Sequence, residues 1–131
     1  MTPLFRMVCV PAALDGVSDD FTEVMLRDGH LSLQADASGL DGINAVARRL
    51  GAPTVAVVRT EDTPERQEET VIEHAGSLPL VWLAPAFGEK TRTWAQRRGP
   101  MTLLVEVDGP LSDEEQRRVE RFVAILGRQS E

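Results

Sequence analysis

The most apolar run of the chain, residues 78–85, reads Leu-Pro-Leu-Val-Trp-Leu-Ala-Pro. The run is too short for a core helix and has no polar face. It is bounded by Gly76-Ser77 on one side and closes on Pro85. These features are typical of a strand that is buried on both sides, as in parallel sheets. We therefore expect residues 78–85 to form the central strand of a sheet that helices cover on both faces.

The segments around this run alternate between helical and strand patterns. Apolar residues at helical spacing, with start signals at Asp41, Thr63-Pro64 and the pair Ser112 and Glu115, predict helices. Glycines that we expect to end helices are Gly51, Gly76, Gly99 and Gly127. Further buried strands are predicted at residues 4–10, 54–58 and 101–107. Helix, glycine and strand in this order predict crossover connections and a parallel sheet.

A different pattern occupies residues 21–37. Asp28-Gly29 separates two short apolar segments, and this dipeptide supplies the positive φ angles of a type I′ turn. In the second segment, Leu31 and Leu33 alternate with polar residues. We therefore predict an antiparallel hairpin at one side of the sheet. The predicted fold class is a single α/β domain over residues 1–131, with a mixed, mostly parallel sheet and helices on both faces.

The predicted hairpin carries a resemblance to a known family. An acidic residue at Asp20, a hairpin with Arg27-Asp28-Gly29 at its tip, and then an apolar strand and a helix resemble the core of the PD-(D/E)xK nuclease superfamily. In that family the second strand ends in Glu-x-Lys, the metal-binding and catalytic pair. Here the matching positions are Gln34-Ala35-Asp36, without the lysine. The resemblance implies a nuclease-like scaffold that has lost catalysis.

Composition narrows the classes of partner and compartment. The 131 residues carry a net charge of −7, the sign opposite to that of most nucleic-acid-binding proteins, so a nucleic-acid partner is disfavoured. The single cysteine, Cys9, forms no disulfide within the chain, which suits a reducing compartment. No apolar run approaches the ~20 residues that a bilayer requires, so no membrane association is expected. We predict a cytoplasmic protein.

A site, if the protein has one, is expected where the parallel strands end. Ligands of open α/β sheets bind beyond the carboxyl ends of the strands. Glu61, Asp62 and Asp108 follow predicted strands there, and their oxygens could hold a divalent cation. Alternatively, these acidic residues cap helices and keep loops in water. The sequence contains no glycine-rich phosphate loop and no zinc-ligand spacing, and no cofactor is predicted.

These observations favour a non-enzymatic accessory or binding module that acts through a protein surface, with a protein partner or a second copy of the chain in a homodimer. The first alternative is a small metal-dependent enzyme with Glu61, Asp62 and Asp108 at the carboxyl edge of the sheet. The second is the degenerate nuclease-like domain. Whether the protein is an enzyme is left open, with the balance against it.

Overall fold

Five strands form one sheet in the computed structural model, which describes residues 3–51 and 55–129. The strands are β1 (Phe5–Cys9), β2 (Gly29–Leu33), β3 (Ala56–Val57), β4 (Leu80–Ala84) and β5 (Thr102–Glu106). The helices are α1 (Asp19–Asp28), α2 (Gly39–Leu50), α3 (Pro64–Ala75), α4 (Glu89–Arg98) and α5 (Asp113–Gln129). Short 3₁₀ segments at Pro11–Leu14 and Gly99–Met101 follow β1 and α4.

The strand order is β3-β2-β1-β4-β5, and every neighbouring pair is parallel. β4 lies between β1 and β5, and all five of its residues are buried. The predicted buried strand at the apolar run is thereby confirmed, but its predicted central position is wrong, because β1 is the middle strand of the five. From β1, the chain adds β2 and β3 on one side of the sheet and then β4 and β5 on the other, so the direction of the strand order reverses between β1 and β4. Open α/β sheets place their ligand crevices at such positions.

Two hydrophobic clusters, one on each face, hold the helices to the sheet. On one face, α1, α2 and α5 contribute Phe21, Val46 and Val119 to a cluster that includes Val81 and Leu83 of β4. On the other face, α3 contributes Val71 and Ala75 to a cluster that includes Leu80, Trp82 and Ala84 of β4. Successive side chains of a strand point to opposite faces, so the apolar run serves both clusters at once.

The predicted antiparallel hairpin is wrong. Residues 19–28 form α1 instead, and β2 pairs with β1 in parallel. The Ser18 hydroxyl accepts a hydrogen bond from the Phe21 amide at 3.1 Å and caps the helix, and Phe21 and Met25, one turn apart, face the core. Gly29 has a φ of −122°, which is an extended conformation. Gly29 is therefore the first residue of β2 and does not form a turn. The local Asp-Gly pattern was outweighed by the helical spacing that precedes it.

Several predicted helix boundaries are confirmed. The Thr63 hydroxyl accepts from the Arg66 amide at 3.2 Å, with Pro64 in the first helical turn. Ser112 and Glu115 form the reciprocal capping box at 2.8 and 3.1 Å. Gly51 ends α2 in the left-handed conformation, with a φ of 65°.

Other boundaries differ from the prediction. α2 begins after Ser38, so Asp41 lies in its first turn and is not the cap. α5 continues through Gly127 to Gln129, because glycine without a following break costs only about 1 kcal/mol in a helix. The predicted strand at residues 54–58 is observed at Ala56–Val57, and Thr54 lies outside the described residues. No helix in the described ranges combines the length and the apolar character needed to cross a membrane.

Candidate functional site

A cleft of about 350 Å³ lies at the carboxyl ends of β2, β3 and β4. Trp82, Ala84 and Ala86 form its side along β4, and Gln34 and Ala35 follow β2. Its remaining walls are the loop after β3 and the first turns of α3: Thr60, Glu61, Asp62, Thr63, Pro64, Gln67 and Glu68. The cleft thus occupies the edge at which the sequence placed a candidate site.

Gln67 holds the loop between β3 and α3. Its side-chain amide donates to the Arg59 carbonyl at 3.0 Å, and its Oε1 accepts from the Glu61 amide at 3.0 Å. Gln67 comes one turn after the Thr63 cap, so its side chain points back over the loop that enters the helix. The wall of the cleft is therefore fixed by a side chain whose donor and acceptor groups are both in use.

Glu61 is a fixed carboxylate in this wall. It accepts hydrogen bonds from the Thr70 hydroxyl at 2.9 Å and from Arg59 Nε at 2.5 Å, and its side chain is only 12% exposed. The Thr70 hydrogen bond, followed by that of Arg59, holds the pKa of Glu61 below its usual value. Glu61 is thus an ionised group that ties the loop to α3.

Trp82 and Gln34 close the inner end of the cleft. The indole Nε1 donates to Gln34 Oε1 at 3.0 Å, so the buried Trp82 side chain has its polar atom satisfied. On its other side the Trp82 ring meets Phe87 edge to face, with centroids 5.0 Å apart. This part of the cleft is built from packed, hydrogen-bonded side chains.

Glu68 joins the cleft to a second groove between α3 and α4. Its carboxylate accepts from the Gly88 amide at 3.0 and 3.2 Å and from the Thr91 hydroxyl, and so caps the N-terminus of α4. A Cβ atom at Gly88 would lie 3.3 Å from this carboxylate, so glycine leaves room for the contact. A carboxylate at a helix N-terminus satisfies unpaired amides and opposes the positive end of the helix dipole.

The second groove has a volume of about 240 Å³ and is called the acidic groove below. Half-buried Ile72 contributes the apolar side chain of the groove, and Gly88, Lys90 and Thr91 line its α4 side. Four glutamates also line it, Glu65, Glu68, Glu69 and Glu89. Glu65, Glu69 and Glu89 are exposed. The acidic groove therefore presents one apolar contact among four carboxylates and the single cation Lys90.

The three predicted metal ligands are divided between two places. Glu61 and Asp62 line the cleft, whereas Asp108 follows β5 at the edge of the sheet, two strands away from β1. Among the residues described here, no three His, Cys, Asp or Glu side chains are grouped as a metal site requires. Metal binding by Glu61, Asp62 and Asp108 stays a prediction.

Beside the position at which the strand order reverses, the ends of β1 and β2 are joined by polar contacts of the chain itself. Asp36, after β2, accepts from the Ser38 amide at 2.9 Å and from the Ala12 amide at 3.4 Å, and so links the ends of β1 and β2. The helix that follows β1 begins with Asp19 and Asp20, whose charges disfavour an anion at that N-terminus. A phosphate site of the dinucleotide-binding kind does not fit these residues.

The residues that match the nuclease pattern have structural roles. Gln34 binds Trp82, and Asp36 binds Ser38 and the Ala12 amide. The hairpin on which that resemblance depended is replaced by α1 and a parallel strand. The nuclease-like interpretation therefore loses its structural basis.

Sequence reasoning missed Gln34, Gln67 and Glu68. Gln34 directly follows an apolar strand, and Gln67 and Glu68 lie one turn inside a capped helix, so their placement at the edge was readable from the sequence. Their partners were not, because Trp82 and Gly88 come from other elements. Comparisons with known proteins give no matching family model, and neither a curated protein nor a solved structure matches the chain significantly.

Proposed function

We propose that this protein is a non-enzymatic binding module that recognises a protein partner through the acidic groove. The observation that carries the proposal is the pairing of an apolar contact, Ile72, with four surrounding glutamates. Apolar contact at the centre and charge at the rim is the usual composition of a recognition surface. The partner expected from this chemistry is a basic amphipathic segment that inserts an apolar side chain against Ile72 and places Lys or Arg near the carboxylates.

The chemistry of the adjoining cleft supports binding in preference to catalysis. Glu61, Gln67 and Glu68 are each engaged in hydrogen bonds that hold a loop or a helix end. A general acid or base must be free to exchange a proton with a substrate. These groups serve instead to keep the walls of the surface rigid, which lowers the entropy lost on binding.

A cytoplasmic location is part of the proposal. The thiol of Cys9 is fully buried in β1, and burial raises its pKa to about 12. A thiol in this state is an inert core group and takes part in no disulfide. Its burial suits a reducing compartment, in which cysteines stay free.

The experiment is affinity capture from cell extract with quantitative mass spectrometry, followed by anisotropy with the basic peptide of the captured protein. We expect the double variant Glu65→Lys and Glu69→Lys to weaken binding of that peptide at least about tenfold, since two attractive charges become repulsive. The matched control carries Glu114→Lys and Glu120→Lys, exposed positions on α5, which lies on the other face of the sheet.

Capture that is equal for the groove variant and the native protein would place the interface elsewhere. Sedimentation velocity on the same samples decides whether the partner is a second copy of the chain, in which case the groove variant stays monomeric. Failure to capture any protein, together with measurable hydrolase or transferase turnover, would overturn the proposal.

A metal-dependent activity is the second candidate, and Glu61 favours it. Glu61 is held ionised and lines the cleft next to exposed Asp62, so two carboxylates face the same space. Calorimetric titration with Mg²⁺ and Mn²⁺ tests this candidate. If this candidate is right, the native protein binds the metal ion and Asp62→Asn weakens that binding. Asp108→Ala also weakens it if all three predicted ligands act together. Absence of heat for the native protein rejects it.

A further inference from the structure

The central strand of the sheet carries a cation that forms no ion pair with any residue the structure describes. Arg6 lies in β1, and its Nε atom is buried and makes no hydrogen bond within the described part of the chain. Arg6 also takes no part in the ion pairs between described residues. A guanidinium group stays charged at every physiological pH, so loss of a proton does not relieve the burial of Nε. Such a group is stabilised by an anion or by hydrogen-bond acceptors.

Two further basic side chains lie beside Arg6. His30 is its register partner on β2, and parallel partners present their side chains to the same face. His74 reaches this face from α3, and its ring centroid lies 6.2 Å from that of His30. His74 Nε2 is 3.2 Å from the hydroxyl of buried Ser32, which fixes the position of the ring. Arg6, His30 and His74 are called the basic cluster below.

The basic cluster brings like charges together at a cost. Burial, followed by the nearby charges of Arg6 and His30, holds the pKa of His74 below its usual value. The two histidines of the chain are thus placed next to an arginine that no described carboxylate neutralises. His30 is exposed and His74 and Arg6 are half-buried, so a small solute can reach the cluster from solvent.

We propose that Arg6, His30 and His74 form a binding site for a tetrahedral oxyanion of the phosphate type, either free or as the end of a phosphate monoester. A planar guanidinium and two imidazole N–H groups are the donors that such an anion requires. The site lies at the amino-terminal end of the sheet, away from the acidic groove, and its function is separate from the one proposed above. The negative end of the α3 dipole near His74 opposes anion binding, so affinity depends chiefly on Arg6.

The chain has only two histidines, which makes NMR titration of the imidazole groups a direct test. The pKa of each histidine is measured in phosphate and in chloride at equal ionic strength. A bound anion favours the imidazolium form, so we expect phosphate to raise the pKa of His74 by about half a unit or more. A parallel titration with methyl phosphate distinguishes the two sources: the stronger shift identifies either the free anion or the monoester as the better ligand.

Arg6→Gln should abolish the phosphate-dependent shift of the His74 pKa. Arg6→Lys keeps the charge but loses the planar fork, so it should reduce this shift. The lysine variant also allows the measurement if Arg6→Gln does not fold. Arg27→Gln is the control, because Arg27 is exposed and already paired with Asp28. The proposal is overturned if both histidines titrate identically in phosphate, methyl phosphate and chloride. A shift that persists unchanged in Arg6→Gln or Arg6→Lys would also overturn it.

Discussion

At the scale of single residues, polar side chains do much of the work of joining elements. Gln67 and Glu61 hold the β3–α3 loop, Gln34 receives the indole N–H of Trp82, and Glu68 connects α3 to α4. The hydrogen bonds of Glu61 with Thr70 and of Gln34 with Trp82 are partly buried, whereas those of Gln67 and Glu68 with backbone groups lie nearer the surface. Removal of one hydrogen-bonding partner leaves the other without a hydrogen bond, and this lowers the stability of the fold more than removal of both partners does.

Replacement of Glu68 by Ala should lower the free energy of unfolding by about 1–2 kcal/mol, because the Gly88 amide and the buried Thr91 hydroxyl both lose their acceptor. Urea denaturation followed by circular dichroism measures the change. The control is Glu69→Ala on the same helix, an exposed position where we expect a change within about 0.5 kcal/mol. Equal effects of the two variants would show that the cap contributes little.

His74 should make the fold sensitive to acid. Its pKa in the folded protein lies below the usual value, mainly because of burial, so the unfolded chain binds a proton more readily. The contribution of neutral His74 to the free energy of unfolding is fully present above the ordinary histidine pKa of about 6.5. This contribution is lost as the pH falls through that value toward the lower pKa of His74 in the folded protein.

Urea midpoints of the native protein and His74→Gln, compared at about pH 7.5 and about pH 5.5, test this expectation. The native protein should lose more stability than the variant over this range. A pH dependence that is the same in both proteins would mean that His74 is equally easy to protonate in the folded and unfolded states. Phosphate-free buffers keep this experiment separate from the proposed anion site.

At the scale of elements, glycines at similar-looking positions have opposite roles. Gly29 begins β2 against the Phe5 ring, and a Cβ atom there would approach ring carbons to 2.4 Å. Gly127 lies within α5, and a Cβ atom there would meet no atom within 4 Å apart from its chain neighbours and the nearby backbone of its own helix. From the sequence alone, Gly29 was predicted to lie in a turn and Gly127 to end a helix. Only the packing of the folded chain shows that glycine is required at position 29 and replaceable at position 127.

The variants Gly29→Ala and Gly127→Ala should therefore change stability in opposite directions. Gly29→Ala is expected to destabilise the protein by about 1–3 kcal/mol, since buried Phe5 must move to avoid overlap. Gly127→Ala should stabilise it by up to about 1 kcal/mol, because alanine is the better helix former. Thermal or urea unfolding of the two single variants measures both, and changes of the same sign would contradict the observed boundaries of β2 and α5.

At the scale of the whole molecule, charge is separated along the strand direction. Every helix has an acidic residue in its first turn and a basic residue in its last turn. Each helix follows the carboxyl end of a strand, so the acidic turns lie at that edge of the sheet and the basic turns at the other. The net charge of −7 is therefore distributed unevenly. The carboxyl edge of the sheet, with the cleft and the acidic groove, is acidic, and the amino edge, with the basic cluster, is more basic.

The two layers of helices should unfold together, because β1 and β4 contribute side chains to both hydrophobic clusters. Trp82 of β4 and Trp94 of α4 both pack in the hydrophobic cluster on the α3 side of the sheet, so their fluorescence reports the packing of that face. Far-ultraviolet circular dichroism reports all five α-helices. We expect the two signals to give the same urea midpoint, as in two-state unfolding. Separate midpoints would show that one layer detaches from the sheet before the other.

Short-range patterns were sufficient for most elements. The apolar run predicted β4, and Thr63-Pro64 and Ser112 with Glu115 predicted the starts of α3 and α5, because burial of a strand and capping of a helix depend on neighbouring residues. The same kind of pattern failed at Asp28-Gly29, where the turn preference of two residues competed with the helical spacing of Phe21 and Met25. Patterns also placed Glu61 and Asp62 at the carboxyl edge of the sheet, where both residues line the cleft.

The amino-acid sequence by itself determined an α/β fold with a mostly parallel sheet, the buried strand β4 and the acidic character of the chain, because periodicity, caps and charge are local or additive properties. Only the tertiary structure decided the strand order, the position of Glu68 against Gly88, and the meeting of Arg6 with His74. Those contacts join residues that are distant in the chain, and they arise from how helices pack on the sheet. No local pattern contains that information.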